Sequence, residues 1–164
     1  MTFHPGRRTR LPQIEDEDMN PVSAGAIGGI VGGLAIAAMG MLYGAGTGRG
    51  LWALPNRIGG IVLGPRPRKI EALGASTVVG VLLHMLLSAV YGVLIVLIAQ
   101  NLTGAYVLTG LIVGIGIWLA NYYVIGAFHA GSREVARLNP VPVALALHAL
   151  FGAIAGAVAR SLLS

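Results

Sequence analysis

Two histidines, His84 and His148, stand inside long apolar stretches. A side chain that can ligate metal, carry a proton or donate a hydrogen bond is costly in such surroundings, so its position there calls for a purpose. Around the first the chain reads Leu83-His84-Met85-Leu86-Leu87-Ser88-Ala89-Val90-Tyr91-Gly92, and around the second Leu147-His148-Ala149-Leu150-Phe151-Gly152-Ala153-Ile154-Ala155-Gly156. Leu, His, Leu, Ala and Gly coincide at equal offsets. Small residues recur every four positions on either side, as Ser76, Gly80, His84, Ser88 and Gly92, and as Ala144, His148, Gly152, Gly156 and Arg160. Residues four apart share one helical face, so each imidazole sits in a seam where another helix can approach closely.

Two chemistries fit that pattern. Two imidazoles at equal depth, flanked by small side chains, could ligate one haem b iron from opposite sides. Alternatively each neutral ring hydrogen-bonds across a helix interface, with Ser76, Ser88, Asn121, Tyr122 and Tyr123 as available partners. No Arg or Lys near the spans is placed for haem propionates, and small seams have a packing explanation that needs no cofactor.

Other chemistry is scarce. The chain has no cysteine, which excludes disulfides, thiolate zinc sites, iron–sulfur clusters and a Cys nucleophile. Gly44, Gly46, Gly48 and Gly50 resemble a glycine-rich loop, but no Gly-Lys-Ser/Thr follows and the dinucleotide spacing is wrong. No nucleophile with a base and an orienting group, and no His-Glu-x-x-His run, is present. The expectation is a protein with no catalytic residues and no metal site.

The elements that carry the histidines follow from charge and length. The chain is 55% hydrophobic and 10% charged, with a mean hydropathy of +0.79; soluble domains are about a quarter charged. No charged residue lies between Met19 and Gly48, between Ala72 and Ser132, or between Leu138 and Ala159. A membrane span needs about 20 residues. The first and third stretches each hold one helix, whereas the middle one would be about three bilayer cores long and must fold back. Gln100-Asn101-Leu102-Thr103-Gly104 supplies its turn.

The reading is an all-α integral membrane protein with transmembrane helices over 21–43, 74–99, 104–126 and 140–160. Residues 1–20 form a charged tail and residues 44–73 an interfacial loop. Asn20-Pro21 and Asn139-Pro140 punctuate two helix starts. Spans one and three echo each other as Gly28-Gly29-Ile30-Val31-Gly32 and Gly110-Leu111-Ile112-Val113-Gly114. The chain therefore reads as two tandem helical-hairpin repeats in one orientation. Gly25, Gly29 and Gly33, with Gly28 and Gly32, mark span one as a tightly packed helix. Trp118, Tyr122 and Tyr123 look like an aromatic belt, with Asn121 turned inward.

The net charge of +5 is not a nucleic-acid signal, because the basic residues are confined to loops and the tail. They report on orientation instead. Arg49, Arg57, Arg66, Arg68, Lys69, Arg133 and Arg137 gather on one side, against Arg7, Arg8, Arg10 and Arg160 on the other. The richer side is normally cytoplasmic, which puts loops 44–73 and 127–139 inside and both termini outside. The first twenty residues lack the apolar core of a signal peptide, and Glu15 to Asp18 form an acidic run beside Arg7, Arg8 and Arg10.

A glycine-rich first span, the Gly50-Leu51-Trp52-Ala53-Leu54-Pro55 segment, the Leu-His segments of spans two and four, and Trp118-Leu119-Ala120-Asn121-Tyr122-Tyr123 form a recognisable set. On these motifs, from about residue 24 onward, the chain resembles a loose group of small uncharacterised four-helix bacterial inner-membrane proteins. That group has no assigned activity, so the resemblance implies fold and location alone. The function expected is a non-catalytic subunit or assembly factor of a larger respiratory or photosynthetic membrane complex. It would be partnered by the lipid bilayer and other membrane subunits. A haem-binding electron carrier using His84 and His148, or a small channel or carrier, are the alternatives. A carrier is disfavoured because no span holds Asp, Glu or Lys.

Overall fold

The computed structural model describes residues 19–64, 72–138 and 140–164, without the side chains of Glu134, Arg137 and Leu138. The charged tail with His4, the run Pro65 to Lys69, the side chain of Arg137 and the Asn139 cap lie outside the described residues. Within those limits the chain is all-helical. The long helices are α1 (Pro21–Gly46), α3 (Ala75–Ile98), α4 (Tyr106–Leu119) and α7 (Val141–Leu162), and the short ones are α2 (Ala53–Leu63), α5 (Gly126–Phe128) and α6 (Ala130–Leu138). Wider, π-type turns extend α3 over Ala99–Thr103 and join α4 to α5 over Ala120–Ile125. Counted with those turns, four helices are long and apolar enough to cross a membrane.

Local sequence accounts for the boundaries. Asn20 Oδ1 accepts from Ser23 N at 2.9 Å with Pro21 at the first position, so α1 starts on a side-chain cap and loses no bond to proline. The turn after α3 ends at Gly104, whose φ of 65° is disfavoured for any residue with a Cβ. Nothing crowds Gly104, so conformation rather than space demands glycine there.

Packing follows the small residues. The bundle is held by α1 against α3, α4 against α7, and α1 against α7, with α2 laid on α3. On α1 the glycines divide between two faces. Gly25, Gly29 and Gly33 meet Gly92, Val93 and Ser88 of α3, whereas Gly28 and Gly32 meet Phe151, Ala155 and Ala159 of α7. A Cβ at Gly25 would lie 2.7 Å from the Val93 Cα, closer than packed carbon atoms come. On α4, Gly110 faces the carbonyl of Gly152 and Gly114 that of His148, while Gly156 faces Tyr106. Backbone touches backbone along these lines, and close approach of this kind is how small residues let helices gain dispersion energy.

The expected interfacial loop is in part a helix. The 11-residue α2 buries Ala53, Pro55, Asn56, Gly59 and Gly60. Gly59 faces Ser76, and Gly80 faces Pro55, so α2 runs beside the first half of α3 rather than away from the bundle. Asn56 is wholly buried. Its Oδ1 accepts from Ser76 Oγ at 2.9 Å and Thr77 Oγ1 at 2.6 Å, and its Nδ2 donates to the Ala72 carbonyl at 3.0 Å.

The four long helices converge on a core of Ile36, Ile95, Ile117, Phe151 and Ala155, with Tyr91, Val113 and Leu147 against it. Between this core and the end where α1 stops and α3 and α7 begin lies the region that holds both histidines.

Candidate functional site

His84 and His148 line one cavity of about 220 Å³. It is lined by α1, α2, α3 and α7, and by the Ala120–Ile125 turn and α6. His84 arrives from the middle of the α3 seam. Below it Ser76 and Gly80 face α2, and above it Ser88 and Gly92 face α1. One four-residue repeat thus serves two partners, and the histidine stands where they part.

Neither ring uses the side-chain partners expected from sequence. His84 Nε2 lies 3.0 Å from the Gly33 carbonyl, and His148 Nδ1 lies 2.7 Å from the Ala144 carbonyl one turn earlier. A backbone carbonyl only accepts, so the His84 proton sits on Nε2 and the His148 proton on Nδ1. The lone pairs remaining in the neutral rings are therefore His84 Nδ1 and His148 Nε2. Ser88 packs on Gly33, Ser76 binds Asn56, and Tyr122 meets the His148 ring edge-on at 6.5 Å.

The aromatic belt needs revision. Trp118 is buried and Tyr122 lines the cavity, so only Tyr123 of the three points outward. The reason is the wide turn at Ala120–Ile125, which rotates Asn121 and Tyr122 toward the cavity. Trp118 Nε1 is the buried side-chain polar atom among the described residues with no hydrogen-bond partner. Tyr123 stands edge-on to its indole at 5.6 Å.

Sequence reasoning missed three contributors. Arg49 and Arg57 were weighed as topology markers, yet both line the cavity with the histidines. The Arg49 guanidinium lies over the Tyr43 ring at 5.8 Å, and each arginine has a further partner in the protein. Asn56 was read only as part of a loop. Its signal was the Ser76-Thr77 pair, two hydroxyls at a span start that required an acceptor.

His129 is exposed and outside the cavity. Its Nδ1 accepts from Ser132 N at 3.1 Å and lies 3.1 Å from Ser132 Oγ, so it caps the start of α6. The remaining glycines of the seams, at 25, 28, 29, 32, 33, 80, 92, 110, 114, 152 and 156, stand at helix contacts and not at the cavity. Among the described residues, no three His, Cys, Asp or Glu side chains gather to hold a metal ion.

The arrangement can hydrogen-bond and bind charge at one end of an apolar chamber. No protein family, curated protein or solved structure matches the chain.

Proposed function

We propose that the chain is a multi-pass membrane protein that serves as a non-catalytic subunit or assembly factor of a larger membrane complex, respiratory or photosynthetic. One observation carries the reading: several polar side chains in and beside the spans tie one helix to another. Asn56 ties α2 to Ser76 and Thr77, His84 binds α1, and Thr103 binds Thr109 at 2.6 Å. The outer faces are apolar, with Leu42, Leu82, Leu86, Val90, Leu108 and Ile112 all exposed, as lipid or neighbouring subunits require.

Two tandem hairpins are part of the same reading. His84, Ser88 and Gly92 of α3 correspond to His148, Gly152 and Gly156 of α7. The contacts support a pairing of Gly29 with Gly110 and of Gly33 with Gly114, one residue from the match suggested by Gly28-Gly29-Ile30. Gly28 and Gly32 are turned to α7 instead. Location in a bacterial inner membrane rests on the resemblance, and cytoplasmic loops 44–73 and 127–139 on the basic residues.

The complex is tested by gentle detergent extraction and native electrophoresis of the tagged protein. Migration with a larger assembly is expected; migration only as a monomer or small homo-oligomer overturns the reading.

Haem ligation is the second reading, favoured by the cavity shared between His84 and His148. It would use the lone pairs of His84 Nδ1 and His148 Nε2, and asks a chamber of about 220 Å³ to widen, since pockets for drug-sized ligands run to roughly 300–1,000 Å³. A reduced-minus-oxidised spectrum of the purified protein without Soret and α bands rejects it.

A further inference from the structure

We propose that the histidine chamber binds a neutral phenol carried in the bilayer, whose hydroxyl donates to His148 Nε2. The hydrocarbon substituent of the phenol lies in the adjoining hollow between α1, α2 and α3. This goes beyond the subunit reading and shares with it only the placement in a membrane.

An unused acceptor calls for a ligand that carries a donor. The Ala144 carbonyl, one turn back on α7, takes the proton of His148 Nδ1. That bond turns the near side of the ring to its own helix and leaves Nε2, the far nitrogen, as a lone pair. His148 Nε2 has no hydrogen-bond partner among the described residues. Nor is it sealed in protein, since Trp118 Nε1 is the only described side-chain polar atom both buried and unpartnered. Nε2 therefore faces open space, and the space that His148 lines is the chamber. An acceptor without a partner in apolar surroundings is costly, and a ligand hydroxyl removes that cost. A carbonyl or carboxylate oxygen does not, because it only accepts. A cationic donor would have to bury its charge among apolar walls, which is far less favourable than burying a hydroxyl. Arg49 and Arg57 line the chamber with partners of their own and take no part in this recognition.

The size and walls of the chamber select an aromatic ring. Ile36, Leu54, Ile58, Leu87 and Leu147 give it apolar sides. Tyr122 stands edge-on to the His148 ring at 6.5 Å, so an aromatic wall borders the acceptor. An apolar cavity of about 150 Å³ takes up benzene. A chamber of about 220 Å³ accommodates one ring with its hydroxyl and the root of a substituent. The second hollow, of about 400 Å³, shares Ala37, Leu54, Ile58 and His84 with the first. Its other walls include Leu34, Met41 and Met85, which suit a hydrocarbon chain. Leu87 lines the chamber yet is 40% exposed, so the chamber lies near the outer face of α3.

The experiment is a calorimetric titration of the full-length protein, purified in dodecyl maltoside, with para-hexylphenol, subtracting micelles without protein. Saturable binding at a single site is expected. Hexylbenzene, which has the ring and the chain but no donor, should bind about tenfold more weakly. His148→Phe keeps a ring and removes the acceptor, so the preference for the phenol should disappear. Ser161→Ala, an exposed change near the other end of α7, should preserve it.

Four results would overturn the proposal. They are absence of saturable phenol binding, equal binding of phenol and hexylbenzene, an undiminished preference in folded His148→Phe, and decanol binding as tightly as para-hexylphenol. The last would mean that a hydroxyl is recognised but a ring is not. Phenol, hexylbenzene and decanol are compared on the unaltered protein, so the test stands even where His148→Phe does not fold.

Discussion

At the scale of single residues, a missing methyl group decides where helices touch. Gly110 and Gly152 press their backbones on each other across α4 and α7, while Gly116 on the same helix α4 has no atom within contact range of a would-be Cβ. Gly110→Leu should therefore cost about 1–3 kcal/mol through overpacking and lower the thermal midpoint in detergent. Gly116→Leu should leave that midpoint unchanged or raise it, because leucine is the better helix former. Equal effects of the two would mean that α4 and α7 do not meet along this line. Hydrogen bonds matter here through satisfaction more than through strength. Interhelical bonds in membrane proteins average about 0.6 kcal/mol. A buried group left without a partner costs about 1–3 kcal/mol, so the buried Asn56 and its two hydroxyl donors stand or fall together.

At the scale of elements, the histidine outside the bundle has a clear task. His129 closes the first turn of α6 by accepting from Ser132 N, and α6 contributes Ser132, Val135 and Ala136 to the cavity. Loss of a side-chain cap costs about 1 kcal/mol. His129→Ala should accordingly speed hydrogen exchange across Ala130–Leu138 severalfold and leave α7 unaffected, with His129→Asp restoring protection. Exchange that stays unchanged in the Ala variant would show the cap to be idle. The other short helix, α2, was hard to foresee for a definite reason. Four glycines precede it and a run of prolines and cations follows it, so local propensity pointed to a loop. What makes it a helix is burial of Pro55, Asn56, Gly59 and Gly60 on α3, a tertiary contribution that outweighs propensity.

At the scale of the whole molecule, alternation of direction puts the ends of α1 and α5 beside the starts of α3 and α7, where Arg49, Arg57 and Arg133 also lie. With that side cytoplasmic, a reporter active only in the cytoplasm should be silent when fused after Ser164 and active when inserted in the segment between α2 and α3. The reverse pattern would invert the orientation and place the cavity near the other face.

Sequence alone determined the number and approximate position of the long helices, because an uncharged apolar stretch of about 20 residues satisfies its backbone hydrogen bonds within itself as a helix. It also marked the histidines and the four-residue seams, since a repeat of four is a helical face whatever lies opposite. Which partner each seam meets was settled only in three dimensions. Gly29 and Gly28 are neighbours in the chain yet serve α3 and α7, and Ser76 and Ser88 share a face yet meet α2 and α1. The cavity belongs to the same class. Arg49, Arg57, Asn121 and both histidines come from segments far apart in sequence, and only close packing of small residues brings them to one place.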